Sequence, residues 1–599
     1  WDAPILVSPH KPARLYFGSQ RLWKSENRGD SWVPISDDLT RDENRFDLEI
    51  MGSKQSWDNA WDVSAMSNYN TLSALSESPV KAGLIYAGTD DGLINITNND
   101  GKSWRQIEVK KLPGAPSTSY VNDIKADNFD ENKVYAVLDN HKYGDYQPYI
   151  YMSNDKGRTW KSITSNLPDR TLTWRIVQDH VKKSLFFAAT EFGIYFSINS
   201  GENWSKLNGG VPIISFRDLA IHKREHDLVG ASFGRGFYVF DDISVFRELS
   251  NTQMKDKATL FSVRKAWWYI PRPYLGFNDP WNGLKGSQGD SYYVAPNPPF
   301  GAVFTYYLSE SLLTKKEMRT KVESASIKKG KAVGFPGWKI VESENRELKP
   351  KVIIEVKDSN NDIVRRLEGP ASKGFHRIAW DLRYPSPNAI LDVSSSSNAS
   401  GFLAPPGKYS VTIFTQHDGK VTKVSDSKNF DVVPLREGAL QTDSHDKIAG
   451  FWREYEQTAK RGSAIQFEVA EILKKVNRMH KAMGQSTSDV GDLDKRLSLL
   501  RQSILEMDEA LNGNRSKMQP GEKNNPTASS RLAVVHRIIE YSTYGPTKTA
   551  IENLSLAQIG LDNIQSQLNQ NNNEIESLLR RMERAGAPWI EGAPIPKNE

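Results

Sequence analysis

The sequence contains no cysteine. That excludes disulfides, thiol nucleophiles and thiolate metal ligands. It fits a bacterial exported protein better than a eukaryotic secreted one, where disulfide frameworks are common. Charge of one sign is also scarce. The 78 Lys and Arg against 73 Asp and Glu leave a net +5, and the basic residues are dispersed. A nucleic-acid protein would gather them on one face, so that class is disfavoured. No run of about 18 apolar residues occurs, which excludes an apolar transmembrane helix. The 10 His show no H-E-x-x-H or other metal spacing. No Gly-rich phosphate loop follows a strand, and there is no G-x-S-x-G nucleophile elbow. No cofactor or metal is expected. The first residue, Trp1, runs almost at once into a strand, so further residues are expected upstream in the whole protein.

What the sequence does have is a repeated octad. Ser153 to Trp160 reads S-N-D-K-G-R-T-W. Asp155 is short enough to accept hydrogen bonds from backbone N–H groups just ahead of it. Gly157 supplies a positive φ, and Trp160 brings a large apolar surface to the next strand. Three further octads, at 25–32, 97–104 and 197–204, keep Gly and Trp in register, with Asn at the capping position. Trp32, Trp104, Asp155, Gly157, Trp160, Gly201 and Trp204 therefore read as structural residues of repeated hairpin turns.

The flanks repeat as well. Apolar pairs such as Leu84–Thr89 with Leu93–Ile96, and Leu185–Thr190 with Gly193–Phe196, precede each octad. One more strand lies ahead of each pair, at Pro4–Ser8, Thr71–Ser76, Val121–Ala126, Thr173–Gln178 and Phe216–Ile221. The fifth copy ends in Asp241-Asp242 without an octad. Radial repetition of four-stranded units is a β-propeller.

At 599 residues the chain is too long for one core. Residues 1–245 read as about five propeller blades, interrupted at 37–66 by a polar insertion carrying Trp57 and Trp61. Residues 246–435 open on an aromatic, Pro-rich lead-in (Trp267, Trp268, Tyr269). They continue as short strands with turn signals, a β-sandwich of immunoglobulin or fibronectin type, with 309–345 as a long inserted loop. Residues 436–585 turn helical: Ile465, Val469, Ile472, Val476 and Met479 recur at steps of four and three, as do Leu493 to Leu511. Leu561, Ile564, Leu568, Ile575, Leu579 and Met582 make a third seam of a bundle or coiled coil. Residues 586–599 are a Pro-rich tail. The fold class is thus mostly β, with a helical C-terminal region.

The phrases P-I-L-V-S-P-H at 4–10, Y-A-G-T-D-D-G-L at 86–93, G-R-G-F-Y-V-F-D-D at 234–242 and G-A-P-W at 586–589 carry a family resemblance. With the octads, the chain resembles the Asp-box, or BNR, repeat proteins: sialidases, sortilin-type receptors and xyloglucanases. It is most similar to large exported bacterial proteins with a sortilin-like propeller. That resemblance implies a larger propeller of which this segment is the second half, in a protein at the cell surface, outer membrane or exterior of a Gram-negative bacterium.

Three functions compete. The leading one is a non-catalytic scaffold binding a protein or glycan. Its candidate residues are those on the turns between second and third strands: Arg21, Asp90, Asp91, His141, Glu191 and Arg235. Each taken singly also fits as a turn cap; Asp90-Asp91-Gly92 is good turn chemistry. The second is a glycoside hydrolase. It needs two carboxylates about 5–9.5 Å apart, for which Asp90, Asp91 and Glu191 are the weak catalytic candidates. A sialidase would further need an arginine cluster, and Phe216-Arg217-Asp218 is the nearest phrase to its F-R-I-P signature. The third is a structural subunit of an outer-membrane assembly, docked through the helices. Trp57, Trp61 and Trp267–Tyr269 are candidate sugar-stacking platforms or, more simply, domain seals.

Overall fold

The computed structural model describes residues 3–596 apart from 51, 60–68, 251–252, 272–294, 388–389, 391–399 and 439–441. Trp61 lies outside the described residues. The chain divides after Gln253 into two units.

The first unit is a succession of antiparallel meanders. The second sheet shows the pattern: Leu72–Glu77, Ile85–Thr89, Leu93–Thr97 and Arg105–Glu108, each strand paired with the next. Equivalent four-stranded sheets start at Ile5–Val7, Tyr120–Ala126 and Thr173–Gln178. A three-stranded one comprises Phe216–His222, Asp227–Ser232 and Phe237–Phe240. The first strand of each sheet lies beside the first strand of the next, the radial order of a propeller. Sheets covered on both sides need buried strands throughout, and Ile85–Thr89 and Phe186–Thr190 are buried at every residue. Close approach demands small residues: a Cβ on Gly88 would stand 2.3 Å from Val121 Cγ1 of the next sheet.

The four octads share one geometry. The opening hydroxyl accepts from the octad's Gly N–H at 2.8–3.0 Å (Ser25, Thr97, Ser153, Ser197). That hydroxyl donates to the capping side chain, Asn27, Asn99, Asp155 or Asn199, at 2.7–2.9 Å. The cap in turn accepts from the N–H four residues on, at 2.8–3.0 Å. The residue before each Gly is left-handed, with φ between 56° and 62° (Arg28, Asp100, Lys156, Ser200), and the Gly follows with φ of 76–99°. Burial is the largest single influence on the Asp155 carboxyl and raises it, but the hydrogen bonds it accepts from Thr159, Ser153 and Arg158 together outweigh burial and hold it down at about 2. Each left-handed residue donates its N–H to the loop joining strands one and two, as Asp100 does to Gly83 O at 2.9 Å. Octads and those loops therefore share one end of the unit. The turns between strands two and three occupy the other.

Octad tryptophans are buried unequally. Trp204 is 3% exposed and donates to Ile163 O of the preceding sheet. Trp104 and Trp160 are half-buried, and Trp32 is 37% exposed.

In the second unit a three-stranded sheet (Ala258–Leu260, Ala302–Leu308, Gly374–Trp380) and a six-stranded sheet around Lys351–Lys357 and Gly407–His417 share buried aromatics, including Phe304, Tyr306, Trp380 and Phe430. The same core continues into the helices through Trp452 and Tyr455, which meet Phe402. Helices His445–Met483, Leu493–Asn512, Ala528–Glu540 and Lys548–Arg584 pack along the expected stripes. One step differs: Leu578, not Leu579, is fully buried, and the seam runs through Leu568, Asn571, Ile575, Leu578 and Met582 in alternating steps of three and four, with Asn571 bonded to Ser503.

The 309–345 stretch is not a loop. It holds helices Lys315–Lys328 and Trp338–Asn345. Neither buries a residue, so no apolar stripe announces them. A Thr314–Glu317 capping box starts the first, and the Arg319 fork ties it to Glu344 of the second at 2.7 and 2.8 Å.

Candidate functional site

Four of the five sheets carry a β-bulge at the same place, near the start of the first strand: between Leu72 and Ala74, Val121 and Asp123, Thr173 and Arg175, and Phe216 and Asp218. A bulge leaves one residue unpaired and re-aims its side chain. The re-aimed residues are Ser73, Asn122, Trp174 and Arg217, at the end of the unit occupied by the strand-two to strand-three turns.

The last two build a cluster. The Trp174 indole N–H donates to Glu191 Oε2 at 3.1 Å. The Arg217 guanidinium lies 3.6 Å from the centre of the Trp174 ring and 5.7 Å from that of Phe233. His141 meets the Trp174 ring edge-on at 5.7 Å, and its Nδ1 is hydrogen-bonded to the buried Asp139 carboxylate. Trp174 is buried, Arg217 is exposed, and Phe233 is 72% exposed. Glu191 and His141, both anticipated, are thus joined around Trp174, which the sequence did not single out, and Arg217, which it noted only in the Phe216-Arg217-Asp218 phrase. Trp174 sits in T-L-T-W-R-I and looks like an ordinary strand residue. The available signal was the shared phase slip in the first strands. An exposed guanidinium on an aromatic ring offers planar donors to a carboxylate or carbonyl, and the ring holds it by cation–π attraction.

Asp90 and Asp91 form a second, separate group. Asp90 accepts from Thr71 N at 2.8 Å and Thr71 Oγ1 at 3.2 Å. Asp91 accepts from Arg41 N at 2.7 Å and from the Thr89 hydroxyl. Both carboxylates therefore bind the insertion and the strand ends to the turn. Burial pushes Asp90 up to about 6 and raises Asp91, against the hydrogen bonds that favour the charged forms. Arg21 and Arg235 are exposed on the turns of the first and fifth sheets. Arg235 shares its turn with Phe233, and Ser232 closes that turn onto Gly236 O at 2.9 Å.

Among the other aromatics, Trp268 is no platform: it is buried, with its N–H on Ala404 O at 2.9 Å. Trp57 is exposed, edge-on to Phe46 at 5.3 Å. Among the described residues, no group of three or more His, Asp or Glu is placed to hold a metal ion. No helix among them is long and apolar enough to cross a membrane.

The Asp90 environment gives a pH prediction. An unfolded Asp titrates near about 3.9. Between that pH and about 6 the fold keeps a proton the unfolded chain has lost. The stability this group contributes is full below the unfolded value and is lost as pH rises through the folded one. Asp90→Asn removes the titration and keeps the shape. In urea melts it is expected to gain about 1–3 kcal/mol over wild type at pH 7.5 relative to pH 4. A difference independent of pH would show that Asp90 does not titrate in this window.

No protein-family model matches the chain, and no curated protein matches it. Among solved structures, it is similar to the β-propeller domain of Cps50 (Swd1) from Myceliophteria thermophila. Identity is 11%, coverage 44% of this chain and 76% of that one, and TM-score 0.29. It is also similar to an ancestral GH74 enzyme, at 13% identity, coverage of 72% and 46%, and TM-score 0.29. A third is the extracellular domain of a hybrid two-component system of B. thetaiotaomicron, at 11% identity, coverage of 70% and 43%, and TM-score 0.26. The chain matches less than half the length of the latter two. Likenesses this distant say nothing of ligand or reaction. The architecture rests on the chain's own sheets: a mostly β protein with propeller blades and a helical C-terminal region.

Proposed function

We propose that the strand-two to strand-three turns of residues 3–250 form a non-catalytic binding face for a protein or glycan ligand, in an exported protein of the bacterial envelope or surface. The observation that carries this is the pair of successive bulges that turn Trp174 and Arg217 onto that face, where Arg217 stacks on Trp174 beside the exposed Phe233. Arg217 supplies donors, Glu191 supplies an acceptor and the exposed Phe233 supplies apolar surface, while the buried Trp174 ring holds Arg217 in place from beneath. Aromatic and Arg anchors of this kind dominate binding energy. The exposed flanks of the first and fifth sheets, at Ile5, Val7, Phe237 and Val239, support these sheets as consecutive blades of a larger Asp-box ring.

A hydrolase is the second reading, favoured by the raised Asp90 carboxyl. Against it, both oxygens of Asp90 are occupied by Thr71, and one oxygen of Glu191 is held by the Trp174 indole N–H. The test is a panel of aryl-glycosides and polysaccharides with wild type, Asp90→Asn, Asp91→Asn and Glu191→Gln. No turnover is expected from any of them. Turnover by wild type that falls about 100-fold or more in one variant, the scale of general acid–base catalysis, with unchanged melting, would make the hydrolase reading the better one.

A further inference from the structure

We propose that the cleft between helices Lys315–Lys328 and Trp338–Asn345 and the Asp418-Gly419 turn binds a neutral oligosaccharide. The cleft is an open surface depression of about 810 Å³, inside the range of about 300–1,000 Å³ typical of small-ligand sites. This site is separate from the turn face proposed above and lies in the second unit.

Its aromatic wall is Trp338, 75% exposed although a tryptophan gains most from burial. Phe335, also exposed, props the indole edge-on at 5.1 Å. The polar lining is balanced. Lys315, Lys339 and Arg346 face Glu342, Glu347 and Asp418. Lys315 pairs with Asp418 at 2.8 Å and Arg346 with Glu342 at 3.4 Å. A sulfated, phosphorylated or uronic ligand calls for an excess of cations, and this lining has none. Glu347 receives the Lys315 N–H on Oε2 at 2.6 Å, while its buried Oε1 has no hydrogen-bond partner.

These features match a sugar. A pyranose presents an apolar C–H face to an indole and a rim of hydroxyls that both donate and accept. The walls are also preset. The Arg319–Glu344 fork fixes one helix on the other. The Lys315–Asp418 pair and the His417 ring on Leu313 O at 2.9 Å fix both to the sheet turn. A preset cleft loses less ordering entropy on binding.

The test uses the full chain with cellohexaose, maltohexaose, chitohexaose and mannohexaose as neutral probes, and hexagalacturonate and a heparin hexasaccharide as acidic ones, read by calorimetry and tryptophan fluorescence. At least one neutral hexasaccharide is expected to bind with Kd of about 1 mM or tighter. Trp338→Ala should weaken it about 30-fold, roughly 2 kcal/mol at 1.4 kcal/mol per decade, with unchanged melting. Trp338→Tyr should restore most of the affinity, and Trp589→Ala, at an exposed tryptophan outside the cleft, should leave it untouched. No binding by any neutral probe, binding that survives Trp338→Ala, tighter binding of the acidic probes, or an equal loss in Trp589→Ala would each overturn the proposal.

Discussion

Replacing Trp204 with alanine is expected to destabilise the first unit by about 3–5 kcal/mol, the cost of deleting a buried aromatic and leaving its cavity. Trp204 is almost fully enclosed, among Ile163, Leu167 and Tyr195. Its indole N–H donates to Ile163 O, and its backbone is held on both sides by the Asn166 amide, at 2.7 and 2.9 Å. The mutation therefore opens a void and strands the Ile163 carbonyl. Trp32 has the same place in its octad and is 37% exposed, so Trp32→Ala should cost under about 1 kcal/mol, as surface changes do. Trp104→Ala and Trp160→Ala should fall between. Hydrogen exchange of amides in 186–206, with urea melts, checks the order. Equal effects from Trp204 and Trp32 would mean that octad position, not burial, sets the contribution.

Gly301→Ala should cost the second unit about 2–6 kcal/mol. Gly301 has φ of 104°, and a Cβ there would sit 1.9 Å from Trp380 O. The left-handed backbone costs a non-Gly residue about 1–3 kcal/mol, and forcing apart packed backbone adds about 1–3 more. The site matters because Gly301 leads into Ala302–Leu308, which pairs with Gly374–Trp380 along its whole length. Amides of 302–308 should lose protection against exchange. Gly334→Ala, where a Cβ meets nothing within 4 Å, should be near neutral. Wild-type protection in Gly301→Ala would show that this sheet edge yields.

How much of this was written in the sequence depends on what each element buries. The meanders were legible because their strands alternate turn chemistry with apolar runs; Thr173–Gln178 was bounded to the residue. The octads were legible because one hydroxyl, one cap and one Gly recur at fixed offsets. The 315–328 and 338–345 helices were invisible because they bury nothing and stand on a capping box and an arginine fork. The candidate site was half visible. His141 and Glu191 stand out as polar turn residues. Trp174 and Arg217 reach the same place only because a bulge breaks the alternation that sequence reading assumes.

The most direct measurement of the binding-face account is photo-cross-linking in cells. A photoreactive residue replaces Phe233 on the turn face or Arg158 on the octad end, each with and without Arg217→Ala. The account predicts a discrete cross-linked adduct from position 233, lost when Arg217 is removed, and none from position 158. Adducts from 158 alone, or from 233 unchanged by Arg217→Ala, would contradict it.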